Sequence, residues 1–132
     1  MNTQQTLTPA EWEIMEAIWT LGGSPTVRDV LEHAFPNGEK AYTTVQTVMN
    51  TLEKKGHLRR KKTGLVNFYT PMRSRDQTIK AEMSSILARI FDGSVPALAN
   101  SLLDLEDVKL DEIRRIKKLL EEKERELRGD KK

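Results

Sequence analysis

The chain contains no cysteine. Disulfides, thiolate metal sites and thiol nucleophiles are thereby excluded, and the usage fits a reducing compartment. Histidine is nearly as scarce, with only His33 and His57 present. His33 falls in an expected second helix beside Glu32, and His57 at a helix end beside a basic segment, which are surface or capping positions. No serine occupies a nucleophile elbow, no His/carboxylate cluster has metal-ligand spacing, and no Gly-rich loop follows a strand. No enzymatic activity, metal or cofactor is expected. Long hydrophobic runs are also lacking, and the opening Met-Asn-Thr-Gln-Gln-Thr-Leu-Thr-Pro has neither the basic nor the apolar region of a signal peptide. The expectation is a soluble, cytoplasmic protein with no direct membrane insertion.

Net charge is small as well, +2 over 132 residues, and does not by itself point to nucleic acid. Its distribution does. Lys54, Lys55, Arg59, Arg60, Lys61 and Lys62 fall close together without an intervening acid, a local basic patch. With 37% hydrophobic and 32% charged residues and no low-complexity tract, the chain lies outside the disordered class. Its length suits one domain, or a small domain with an oligomerising appendage.

What is present is organised around residues 41–56. Val45, Val48, Met49 and Leu52 recur at i, i+3, i+4 and i+7, one face of an α-helix. The opposite face carries Thr43, Gln46, Thr47, Asn50 and Lys54. Solvated helix faces favour Glu and Lys, because Thr and Asn are weak helix formers. Amides and hydroxyls can instead donate and accept at base edges in a DNA major groove, which admits a helix. The stretch reads as a recognition helix.

Two helices precede it. Thr8-Pro9-Ala10-Glu11 opens the first, with Thr as N-cap, Pro at N1 and Glu at N3. Trp12, Met15 and Trp19 interleave there with Ile14, Ile18 and Leu21, so this helix is expected to be deeply buried on one side with the tryptophans as core anchors. Gly22-Gly23-Ser24-Pro25 ends it, and Thr26 caps a second helix through Val27, Val30, Leu31 and Ala34. Three helices with short joints form a helix-turn-helix arrangement. After Lys55-Gly56-His57 the period changes. Residues 58–62 and 65–70, where Val66, Phe68 and Thr70 alternate with Asn67 and Tyr69, flank a turn at Thr63-Gly64. A basic hairpin beside a recognition helix is a wing, whose cations neutralise phosphates and give affinity and register.

Past Pro71 the pattern is helical again. Ile79, Met83, Ile86, Leu87 and Ile90 form one stripe, and Val95, Leu98, Leu102 and Leu103 a second that opens at Ser94-Val95-Pro96. A third runs over residues 110–127 through Ile113, Ile116, Leu119, Leu120 and Leu127. Opposite charges four apart, such as Asp111 with Arg115, contribute about 0.2 to 0.5 kcal/mol each and keep this helix soluble. Helices of roughly 45 residues in all are too few for a lone core, so the stripes are expected to pack against a second copy. The fold class expected is mainly α with a small β-hairpin wing. A winged helix-turn-helix domain over residues 1–72 is followed by a three-helix dimerisation domain over residues 73–132.

Three stretches then resemble the bacterial BlaI/MecI penicillinase-repressor family. They are Leu7-Thr8-Pro9-Ala10-Glu11-Trp12-Glu13-Ile14-Met15, Tyr42-Thr43-Thr44-Val45-Gln46-Thr47 through Leu52-Glu53-Lys54-Lys55-Gly56, and Asn67-Phe68-Tyr69. The resemblance implies a homodimeric repressor binding inverted repeats in double-stranded DNA. It implies DNA contacts from Tyr42, Thr43, Thr44, Gln46, Thr47, Asn50 and Lys54, with Arg60 and Lys62 on the wing; Thr43 and Gln46, nearest the helix N-terminus, are expected at base edges. Dimerisation is expected through Ile79, Met83, Leu87, Leu102, Leu103, Ile113, Ile116, Leu119 and Leu120. Better-known members are inactivated when a membrane sensor protease triggers their cleavage at an Asn-Phe bond in the dimerisation domain. The corresponding region here, Ala99-Asn100-Ser101-Leu102-Leu103, has no Phe, so either cleavage near Asn100, Ser101 and Leu102 uses a different bond or another signal in the dimerisation domain relieves repression. A protein-interaction winged helix is the rival reading, since the fold alone does not imply DNA. It calls for aromatic or aliphatic anchors on the third helix where this one has Thr, Gln and Asn.

Overall fold

The computed structural model describes residues 6–129. The expected absence of a signal-peptide pattern concerns in part residues 1–5, which lie outside the described residues. The element order is α1 (Pro9–Leu21), α2 (Val27–Ala34), α3 (Tyr42–Lys54), β1 (Leu58–Thr63), β2 (Val66–Pro71), α4 (Arg75–Phe91), α5 (Val95–Leu103) and α6 (Leu110–Leu127). This is the mainly helical architecture with a hairpin wing that the sequence predicts.

Local chemistry sets the helix starts. Thr8 Oγ1 accepts from Glu11 N at 3.2 Å while Glu11 Oε1 accepts from Thr8 N at 2.9 Å. The same reciprocal box joins Thr26 and Asp29, satisfying N–H groups that have no intrahelical acceptor. From α1 come Ile14, Met15, Ala17 and Ile18, from α2 Val27 and Val30, and from α3 Val45, Met49 and Leu52, all buried in one core with Leu7, Phe35, Leu58 and Tyr69. The α3 stripe is thus the side of that helix turned inward, with Val48 packed partly against it.

Trp12 and Trp19 flank this core, partly buried, edge to face with ring centroids 5.6 Å apart. The Trp19 indole N–H donates to the Arg73 carbonyl at 2.9 Å, as a partly buried indole must find an acceptor. Leu21, expected on the buried side of α1, is 40% exposed because it ends the helix just before Gly22. Of the two positions expected for His57, surface or capping, the structure gives the capping one, and the residue is buried. Its N–H donates to Leu52 O at 2.9 Å and its carbonyl accepts from Met72 N at 3.0 Å, so it caps the end of α3 and ties it to the end of the hairpin.

The hairpin is antiparallel, from Leu58 opposite Pro71 to Thr63 opposite Val66. Its turn is Gly64-Leu65, one residue later than Thr63-Gly64. The reason is backbone geometry: Gly64 takes φ +65°, which a two-residue hairpin turn needs at its first position and glycine adopts without strain.

The chain divides into two compact units, Met1–Ser85 and Ile86–Lys132. The sequence-based boundary at residue 72 is earlier, because the start of α4 belongs with the first unit. Leu7 N donates to Glu82 Oε2 at 2.9 Å and Arg75 pairs with Glu16 at 3.0 Å. In the second unit α5 and α6 have no buried residue. Asp111 and Arg115 pair there at 3.6 Å as exposed i,i+4 neighbours. Between α5 and α6 runs an apolar groove of about 520 Å³ lined chiefly by Leu102, Leu103, Leu105, Val108, Ile116 and Leu119.

Candidate nucleic-acid interface

Once Val45, Met49 and Leu52 are turned inward, the rest of α3 is fixed in direction. Tyr42, Thr43, Thr44, Thr47 and Lys54 are exposed, while Gln46 and Asn50 are half-buried. The helix therefore displays hydroxyl and carboxamide groups over most of its length. Its start, like that of α6 after Lys109, has no side-chain cap. Thr8, Thr26 and Ser94 cap α1, α2 and α5, but the residue before α3 is Ala41, which offers no side-chain cap. Uncapped N–H groups and the positive end of the helix dipole face outward there, an arrangement that favours an anion.

The wing supplies the cations. In a ladder, directly opposed residues project to the same side, and alternate residues to opposite sides. Tyr69 is buried and reaches α3, its hydroxyl donating to Asn50 Oδ1 at 2.8 Å. Arg60 is opposite Tyr69 and Lys62 opposite Asn67, so both cations lie on the α3 side of the hairpin, whereas Arg59 and Lys61 lie on the other. Both are exposed.

Gln46 lines a cleft of about 290 Å³ together with Thr26, Arg28, Tyr42, Leu65 and Asn67. The cleft is bounded by the starts of α2 and α3 and by the wing tip, where Leu65 is 94% exposed. Arg28 sits with Cζ 5.5 Å from the Tyr42 ring centroid, a cation held over an aromatic face. Sequence reasoning missed Arg28, since an arginine in the first turn of α2 has no pattern that ties it to Tyr42. It also missed Tyr69 as a contact of the recognition helix.

One cation leaves the basic patch. Lys55 Nζ lies 2.8 Å from Glu11 Oε1, with side-chain exposures of 19% and 7%. Burial pushes the Glu11 carboxyl up, but the Lys55 ammonium and the Thr8 hydrogen bonds outweigh it and hold the group below its ordinary range. Lys55 is therefore a structural tie between α3 and α1, unlike exposed Lys54.

The residues assigned to dimerisation lie elsewhere in the chain and none is buried: Ile79, Leu87, Ile113 and Ile116 are half-buried, and Met83, Leu102, Leu103, Leu119 and Leu120 exposed. Ile79 and Met83 belong to the first compact unit and the others to the second. Asn100, Ser101 and Leu102 are exposed on α5. Among the described residues no group of three or more His, Asp or Glu side chains is placed to hold a metal ion, and no helix is long and apolar enough to cross a membrane.

Comparison with known proteins bears on this surface. The family model described as penicillinase repressor matches residues 7–122. A penicillinase repressor of Bacillus licheniformis is 28% identical over 116 residues, covering 88% of this chain and 90% of its own. The methicillin resistance regulatory protein MecI of Mammaliicoccus sciuri is 24% identical over 123 residues, 92% of this chain and 98% of its own. A transcriptional regulator BlaI of Mycobacterium tuberculosis is 32% identical over 82 residues, 62% of this chain and 59% of its own. With both the recognition helix and the wing inside a match that runs over most of its length, the chain belongs to the penicillinase repressor family of transcriptional regulators.

Proposed function

We propose that the chain represses transcription as a homodimer that binds inverted-repeat operators in double-stranded DNA, with α3 in the major groove and the wing on the flanking backbone. The observation that carries this reading is the juxtaposition of Thr43, Gln46 and Thr47 on the outward side of α3 with Arg60 and Lys62 on the facing side of the hairpin. Hydrogen-bonding groups that can discriminate bases adjoin cations that neutralise phosphates. A protein-interaction face lacks support here, because Tyr42 is the one large apolar side chain exposed on α3 among the described residues.

Dimerisation is supported by the second unit's want of a core. Its apolar stripes leave Leu119, Leu120 and Leu127 more than half exposed, and a two-fold copy offers the same stripes in return. Relief of repression is assigned to the same unit. Cleavage near Asn100 and Ser101 by a membrane sensor protease is one route, and it requires α5 to unwind, because the bonds lie inside a helix. The names of two relatives refer to penicillinase and to methicillin resistance, which makes genes of β-lactam resistance the first to examine for an operator.

Affinity for duplex DNA measured across a range of salt tests the interface. Each phosphate contact contributes a slope of about −0.9 in log affinity against log salt, so a steep fall is expected. Salt-independent binding would contradict the wing's role.

A further inference from the structure

Tyr69 is 1% exposed, and its hydroxyl, 2.8 Å from Asn50 Oδ1, meets an atom that has no hydrogen to give. The phenol is therefore the donor. Burial holds its pKa above the ordinary phenol value, against the pull of the Arg60 guanidinium, so the hydroxyl keeps its proton at neutral pH. Arg60, directly opposite on β1, also acts on the same phenol by hydrogen bonding. A guanidinium can only donate, which leaves the phenol's own proton for Asn50.

The bond has a consequence for the outward side of α3. The Asn50 carbonyl oxygen gives one of its two lone pairs to the buried phenol and is turned inward by that bond, so the amino group on the other branch of the carboxamide is the end that faces a ligand. An asparagine that reads adenine needs both ends, its oxygen accepting from N6 and its nitrogen donating to N7. We infer that Tyr69 is a positioning residue that holds Asn50 as a donor only, so that Asn50 takes a hydrogen-bond acceptor on DNA and does not pair bidentately with adenine. The acceptor is a base-edge N7, O6 or O4, or a phosphate oxygen. This rests on the reading of α3 as the DNA-facing helix.

The test uses the full chain and duplexes that the wild type enriches from a random-sequence pool. Affinities are measured for the wild type, Tyr69→Phe, Asn50→Ala and the double variant, with thermal unfolding of each. Asn50→Ala is expected to weaken binding about tenfold, as loss of one specific contact does. Tyr69→Phe keeps the ring and weakens binding several-fold, but adds nothing in the Asn50→Ala background, because the two act through one group. Replacing adenine by purine, which lacks the N6 amino group, leaves the Asn50-dependent part of the affinity unchanged. A 7-deazapurine or a methylphosphonate that costs the wild type affinity but not Asn50→Ala identifies the acceptor as base or backbone. Asn50→Asp, which still accepts from Tyr69 but donates nothing, loses more than Asn50→Ala and keeps the test sharp should Tyr69→Phe fold poorly.

Additive losses, a purine substitution that costs the wild type but not Asn50→Ala, or an Asn50→Ala chain that binds as the wild type does would overturn the inference and leave the DNA reading standing. A wild type that enriches no duplex would remove both.

Discussion

The Lys55 ammonium lies 2.8 Å from Oε1 of Glu11, the same oxygen that accepts the Thr8 N–H at the start of α1. One carboxylate thus closes the first helix and anchors the far end of the recognition helix. Glu11→Gln keeps an oxygen that can accept both hydrogen bonds but removes the charge opposite the largely buried Lys55 ammonium. Glu11→Gln is expected to lower stability by about 1 to 3 kcal/mol at neutral pH, as urea denaturation would read.

A pH dependence follows from the same pair. The folded Glu11 carboxyl titrates below its ordinary value, so its contribution is fully present above the unfolded value of about 4.3 and is lost as pH falls through the lower folded value. The gap between wild type and Glu11→Gln should therefore shrink as pH drops below about 4. A gap of constant size down to the folded value would place the effect in packing.

Gln46 projects into the cleft between α2, α3 and the wing tip. Gln46→Ala is expected to lose about 1 to 3 kcal/mol on operator DNA while binding to random DNA changes little. Equal losses on both would show a backbone contact and no base readout.

Lys62 lies on the α3 side of the hairpin and is exposed. Lys62→Ala should weaken binding about equally on all sequences and reduce the salt slope by about 1. Lys61→Ala, one position along on the opposite side, should do less. Identical slopes for the two would mean that strand parity does not decide which cations meet phosphate.

Leu119 lines the apolar groove between α5 and α6 and is 63% exposed. A charge there faces either a second copy or water. Leu119→Glu should sediment as a monomer and lose operator affinity far beyond the loss of one contact. A tight dimer in sedimentation would put the seam elsewhere.

The parts of this molecule that were legible in its sequence are those set by nearest neighbours along a helix. Thr8 and Thr26 announced their caps because the bonding partner is three residues on, and Val45, Met49 and Leu52 announced the inward side of α3 by their spacing. The wing was legible as a hairpin, but its turn was placed one residue early, since either side of Gly64 suits a tight turn until the register is known. Long-range pairs left no local trace. Lys55 reads in the sequence as part of the local basic patch although its partner Glu11 lies 44 positions earlier, and Tyr69 and Asn50 are 19 apart. The boundary at residue 72 followed a proline, while the compact unit extends to Ser85 through contacts such as Leu7 with Glu82.

The most direct measurement is a pull-down of genomic DNA by the purified chain at moderate salt, with the bound fragments sequenced. A dimer that reads major grooves through α3 should recover an inverted repeat upstream of particular genes, its half-site centres about 10 base pairs apart or a multiple of that. Recovery of no sequence above background, or of single half-sites without symmetry, would contradict a dimeric operator-binding repressor.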